Sequence, residues 1–142
     1  MDDQMFEQLL DQAPDAAIFA GSDGAISYWN AAAERIFGYH AAAALGQSLD
    51  IIIPDQYREA HWRGFNRAVA GEEAKFRGQV LPTRAMRAGG DTIYVELSFS
   101  IVTGRDGAIL GAFAAARDIT ERWNRDREMR RELRELKEKS AG

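Results

Sequence analysis

The 142-residue chain contains no cysteine. Disulfides, thiolate metal sites and thiol nucleophiles are therefore excluded. No apolar run approaches the ~20 residues needed to cross a bilayer. The acidic start, MDDQMFEQLL, has neither the basic region nor the small-residue cleavage pattern of a signal peptide. A cytoplasmic location without a membrane partner is expected. Catalytic signatures are missing too: there is no His-Glu-x-x-His, no phosphate loop and no serine elbow. AGGD and GSDG read as hairpin turns, and the acid pairs Asp2/Asp3 and Glu72/Glu73 read as solvated, so no enzyme is expected. Basic residues are in the minority, 18 against 22 acidic, for a net charge of −4. Residues 121–142 hold eight basic against six acidic side chains (+2), and the first 120 hold ten against sixteen (−6). An acidic body repels phosphate and a mixed-sign tail is a solvated helix, so nucleic acid is not an expected partner.

What is present is ordered by periodicity. Met5, Phe6, Leu9 and Leu10 fall at helical spacing, and Pro14 ends that segment. AAIFA and AISYW, around GSDG, read as two strands joined by a turn. NAAAERIFGY reads as a helix capped by Asn30 and closed by Gly38. HAAAALGQSL predicts a second short helix with His40 at its start, and Pro54 opens a longer one over roughly 55–70, closed by Gly71. Beyond Gly71 the pattern alternates. A strand is expected over 75–87 with Pro82 towards an edge or bulge. In TIYVELSFSIV, Ile93, Val95, Leu97, Phe99 and Ile101 share a face; AILGAFAAAR is the last strand. A charged helix follows, with Thr120 as its cap. Hairpins at both ends with helices between predict an α+β domain, a mostly antiparallel sheet with helices on one face.

In the Pro-started helix, Tyr57, His61, Phe65 and Ala68/Val69 form one stripe at spacings of three and four, which turns His61 inward. Such an imidazole is either a core histidine satisfied by a backbone carbonyl or a metal ligand held in a fixed direction. The last strand adds a second clue. Leu110, Ala112, Ala114 and Ala116 share a face, and three alanines pointing at the core leave a hollow there. Either a ligand fills it, or large side chains such as Phe37, Tyr57, Trp62 and Phe65 do.

The order of elements, with DGAISYWNAAAERIFGY, LGQSLDIIIPDQYR and GAFAAARDITER in sequence, resembles the PAS sensor family over about residues 8–122. The resemblance implies a five-stranded antiparallel sheet in a PAS domain at 15–119, a flanking helix within 1–14 and a signalling or dimerisation helix at 120–142. Within that family the Arg58, His61, Arg67 pattern is similar to the haem-binding PAS domains of rhizobial oxygen-sensing histidine kinases. That similarity implies His61 as axial ligand of a haem b, and Arg67 with Lys75 as contacts for the haem propionates. Leu97 and Phe99 would line the distal side, over Ala114. Those sensors use a distal arginine to hold oxygen. In register this chain has Leu81, with Arg77 and Arg84 nearby but out of register.

The implied function is a sensor of O2, CO or NO, or of redox state. The alternative is a cofactor-free dimerisation module, and a third reading places another apolar or flavin-like ligand in the pocket, without the flavin-photosensor cysteine. In the last helix, Ile119, Asp126 and Leu133, and likewise Arg122, Met129 and Leu136, are spaced by seven. This gives a seam for a homodimer, or else a surface helix packing Trp123 on its own sheet. The 142 residues include no kinase or output domain, so a stand-alone sensor, a piece of a larger protein or a partner for a separate effector is expected, with the downstream effector unidentified.

Overall fold

The computed structural model of the chain describes residues 2–71 and 81–141. Helix α1 (Asp3–Asp11) leads into strands β1 (Ala16–Gly21) and β2 (Ile26–Trp29), then helices α2 (Ala31–Phe37) and α3 (Ala41–Ala44), a 3-10 turn (Leu49–Ile52) and helix α4 (Asp55–Val69). Strands β3 (Leu81–Met86), β4 (Thr92–Thr103) and β5 (Ile109–Asp118) and helix α5 (Thr120–Ala141) complete it. The five strands form one antiparallel sheet in the order β2-β1-β5-β4-β3. The last strand therefore lies at its centre, and Pro82 lies on an edge strand, where its missing N–H costs least.

Local chemistry explains the corners. Asn30 is fully buried, and its Oδ1 accepts from Ala33 N at 3.0 Å and Ala17 N at 2.9 Å. Its Nδ2 donates to the carbonyls of Leu10 (2.9 Å) and Asp15 (3.1 Å). One amide thus caps α2 and ties the end of α1 to the start of β1. Gly38 ends α2 at φ 80°, the left-handed conformation that a Cβ disfavours. Gly111 in β5 lets two strands approach: a Cβ there would sit 2.1 Å from the Ala20 carbonyl oxygen. The core lies between the sheet and the helices on one face, where Phe37, Leu49 and Phe65 pack with Ile18, Ile26, Val95 and Ala116.

Several expectations are corrected. Thr120 is the first residue of α5 and not its cap. Its hydroxyl donates to Asp118 (2.6 Å) and accepts from Tyr94 N (3.0 Å), spending its hydrogen bonds on the sheet. His40 stands at the start of α3, as expected, without a side-chain cap bond, and Glu34 accepts from Ala41 N at 2.7 Å. Leu110 does not join the alanine face. The β4/β5 register shifts between Val102 and Thr103, which pair with Gly111 and Ile109, so the bulge leaves Leu110 unpaired and 52% exposed. Tyr57 lies at the rim of α4 rather than in the core, 41% exposed, with its hydroxyl accepting from Arg84 at 3.3 Å.

Candidate functional site

A cavity of about 500 Å³ lies between the sheet and α4. Its floor follows from strand register. Ala114 is flanked by Ile18 on β1 and Phe99 on β4, and Ala112 by Ala20 and Ile101. The central strand carries methyl groups at both positions, where three of the four neighbours, Ile18, Phe99 and Ile101, carry larger side chains, so the inner face is a trough. All six residues, with Leu97, line the cavity.

The roof is α4, which presents Ala60, Gly64 and Ala68 at intervals of four beside His61 and Phe65. The inward stripe read from the sequence included Ala68 but missed Ala60 and Gly64. Their spacing was the available signal, since a small-residue line on a helix facing an alanine strand cannot close the gap between them. Nor do the large aromatics close it. Phe37 packs on Trp29 with centroids 5.6 Å apart. Trp62 turns to the rim, where its indole N–H donates to Asp50 at 2.6 Å and its ring presses on Gly24, at which a Cβ would lie 2.4 Å from the indole. Empty apolar volume costs stability through lost contacts, and this volume is of the size of small-molecule sites.

His61 lines the cavity beside Trp62 (centroids 4.7 Å, edge-on) and Phe65 (5.9 Å). Its Nδ1 is buried without a hydrogen-bond partner among the described residues, and Nε2 is not sealed in this way. Burial lowers the imidazole pKa below its ordinary value, partly opposed by the Asp50 carboxylate, so the ring is held neutral. A neutral, partly buried ring nitrogen at an apolar cavity is a metal-ligand chemistry. Among the described residues no cluster of three or more His, Cys, Asp or Glu could hold a bare ion. A single-imidazole site fits a metal that brings its other ligands with it, as the iron of haem does.

Of the sequence-predicted residues, His61, Arg67, Leu97, Phe99 and Ala114 come together on this cavity. Leu81 opens β3 opposite Leu97 in the ladder. Lys75 and Arg77 lie outside the described residues. Arg63 also reaches the cavity and sits 3.8 Å from Glu59, whereas Arg67 has no carboxylate partner among the described residues. Arg58 is spent on structure: it donates to the carbonyls of Ile53 (2.9 Å) and Asp50 (3.1 Å) and pairs with Asp55 at 2.7 Å, closing the 3-10 turn onto α4.

On the opposite face of the sheet a row of charges joins the two flanking helices. Asp15, just past α1, pairs with Arg117 at 3.1 Å; Arg117 stands opposite Glu96 across β5/β4; Glu96 pairs with Arg122 in the first turn of α5. Trp123 stacks on Tyr94 with centroids 4.7 Å apart. The start of α5 is thus fixed to strands whose other face floors the cavity. Farther out, Met129, Leu133 and Leu136 are all more than half exposed. The first turn thus packs Trp123 on its own sheet, and the distal half leaves its apolar residues uncovered.

The model of the PAS fold family matches residues 10–124, and the chain belongs to that family. An uncharacterized protein of Azorhizobium caulinodans is 34% identical over 115 residues (80% of this chain, 15% of that protein). The sensor protein FixL of Bradyrhizobium diazoefficiens is 28% identical over 113 residues (80% and 22%), and the oxygen sensor protein DosP of Escherichia coli 25% over 101 (71% and 13%). The chain therefore spans less than a quarter of each of these relatives. Among solved structures, the PAS domain of a Colwellia psychrerythraea protein superposes with a TM-score of 0.72 at 22% identity, covering 83% of this chain and 97% of that one. An RNA-binding light-oxygen-voltage receptor gives 0.70 at 23%, covering 98% and 39%. The chain is thus a PAS domain, of a family of sensory modules in signal transduction, and none of its described helices is long and apolar enough to cross a membrane.

Proposed function

We propose that this PAS domain binds haem b through His61 and senses a diatomic gas (O2, CO or NO) or redox state. The observation that carries this reading is the His61 imidazole on an apolar cavity floored by Ala112 and Ala114. The similarity to an oxygen sensor and to FixL supports the same choice of ligand. When bound, haem would supply an iron whose open coordination position takes the gas. His61 orients it from α4. Arg67, with Lys75 on the segment that follows, offers cationic groups to the propionates. Leu97 and Phe99 would keep the opposite side apolar, and in the register of the resemblance Leu81 takes the position of the oxygen-holding arginine, so in this reading bound oxygen would not receive that hydrogen bond.

The output is α5. Its first turn is held to β4 and β5 by Thr120, Arg122 and Trp123, so a shift of the cavity floor changes how the helix leaves the sheet. The ligand drives this only by binding one arrangement of the sheet more tightly than another. In this reading residues 1–14 and 120–142 are flanking segments of a 15–119 sensor, the chain works as a homodimer, and a downstream effector receives the signal. A cofactor-free dimerisation module is the second reading, favoured by the exposed apolar residues of α1 and α5.

Native mass spectrometry of protein purified from cells supplied with haem precursor separates these readings. One haem per chain, lost in His61→Ala, supports the proposal. A flavin mass, or a bare dimer, replaces it with one of the others.

A further inference from the structure

A histidine that ligates a metal through one ring nitrogen ordinarily takes its direction from a hydrogen bond at the other. His61 has no such bond: its Nδ1 is buried without a partner among the described residues. The neighbours of its ring are aromatic instead. Trp62 lies edge-on to it with centroids 4.7 Å apart, and Phe65 lies 5.9 Å away, tilted by 31°. Trp62 and Phe65 also meet edge-on, at 5.2 Å, so the three rings form one cluster.

Trp62 is the member of this cluster with anchors outside α4. Its indole N–H donates to the Asp50 carboxylate at 2.6 Å, a short bond to a charged acceptor. Its six-membered ring lies over Gly24, where a Cβ would stand 2.4 Å from Cζ3 and Cη2, so only glycine leaves room for the indole. Both anchors belong to one platform. Leu49 N donates to the Gly24 carbonyl at 3.3 Å, which ties the 3-10 turn to the turn between β1 and β2. Asp50 N donates to Ser48 Oγ at 3.1 Å, and the Asp50 carbonyl accepts from Arg58 at 3.1 Å. These are backbone bonds of Asp50, and they leave its carboxylate to Trp62. Edge-to-face ring contacts have a preferred geometry, so a tryptophan fixed at two points restricts the rotamers of the ring it touches.

We propose that Trp62, tied to Asp50 and seated on Gly24, is the positioning residue for His61: it sets the direction of the imidazole by ring contact, in the place of a hydrogen bond. The use of that direction rests on the haem reading above, whereas the hold on the ring is a property of the ligand-free chain. Asp50 acts one step further out, through the indole.

The test reads ring order and haem affinity separately, in the full chain. The sequence has two histidines, so histidine-labelled protein gives two imidazole signals in magnetic resonance, assigned with His61→Ala. In the haem-free wild type, three-bond couplings are expected to show a single side-chain rotamer for His61, with ring protons shifted by the Trp62 ring current. Asp50→Ala removes the indole's acceptor and keeps the backbone bonds of the 3-10 turn. It is expected to average the rotamers and to weaken haem binding by about 10–100-fold, the usual cost of losing a group that orients a ligand. Asp50→Asn, whose amide oxygen still accepts from the indole, is expected to restore both. Should Asp50→Ala lose its helical circular dichroism, Trp62→Phe, which removes the same N–H and keeps a ring beside His61, is read in its place for the same loosening. A His61 ring already averaged in the wild type, an Asp50→Ala chain with either order or affinity unchanged, or an Asp50→Asn chain no better than Asp50→Ala overturns the positioning role, and a wild type that binds haem leaves the haem reading standing. A wild type that takes up no haem overturns that reading and the role with it, whatever the couplings show.

Discussion

Ala114→Leu tests whether the trough is open space. Ala114 lies at the middle of the floor, between Ile18 and Phe99. Leucine adds three carbons, and each buried methylene contributes ~0.8 kcal/mol, an upper bound of about 2.4 kcal/mol. The site is roofed but not sealed, so a gain of about 1–2 kcal/mol is the working figure. At 2–4 °C per kcal/mol for a chain of roughly this size, the ligand-free protein melts about 2–8 °C higher. The same side chain occupies the floor against which a flat ligand would lie, so haem uptake falls as stability rises. Thermal unfolding by circular dichroism, paired with a haem titration, reads both. If leucine instead destabilises the protein by the ~1–3 kcal/mol typical of overpacking, the floor is already covered and the argument from the alanines fails.

Asn30→Ala strands two buried backbone donors and two carbonyls at once. At 1–3 kcal/mol for each group left unsatisfied, and with some relaxation, a loss of about 3–5 kcal/mol in urea unfolding is expected. Gly111→Ala forces a Cβ against the Ala20 carbonyl and should separate β1 from β5, costing more than ~3 kcal/mol or preventing folding. Trp62→Phe removes the indole bond to Asp50; a loss of about 1–3 kcal/mol is expected for a hydrogen bond to a carboxylate, and wild-type stability would show that the brace on α4 is idle. Arg117→Ala breaks an exposed pair with Asp15 and should change global stability by less than ~1 kcal/mol. Its effect should appear in hydrogen exchange at the start of α5, and unchanged exchange there would break the proposed link between the flanking helices.

Much of the fold was legible because periodicity and punctuation agree. Asn30 and Gly38 bracket α2 as their chemistry demands, and alternation placed Leu97, Phe99 and Ile101 on the inner face of β4. The cavity was legible in half. A run of alanines at every second position of β5 showed the floor; on α4 the stripe found His61, Phe65 and Ala68 but not Ala60 and Gly64, whose small side chains keep the roof from closing on it. Leu110 misled because alternation assumes an unbroken ladder, and a bulge is set by pairing with another strand, which one segment cannot reveal. Thr120 was drawn from capping to the sheet by Tyr94, twenty-six residues away, a tertiary partner that local pattern does not announce. The orphaned Nδ1 of His61 had no sequence signal at all, since it depends on which groups packing leaves out of reach.

The visible absorption spectrum of the haem-loaded protein tests the central claim most directly. The account predicts a Soret band saturating at one haem per chain, which in His61→Ala is lost or moved to the position of unligated haem. No Soret band in the wild type, or an identical band in the variant, would contradict it.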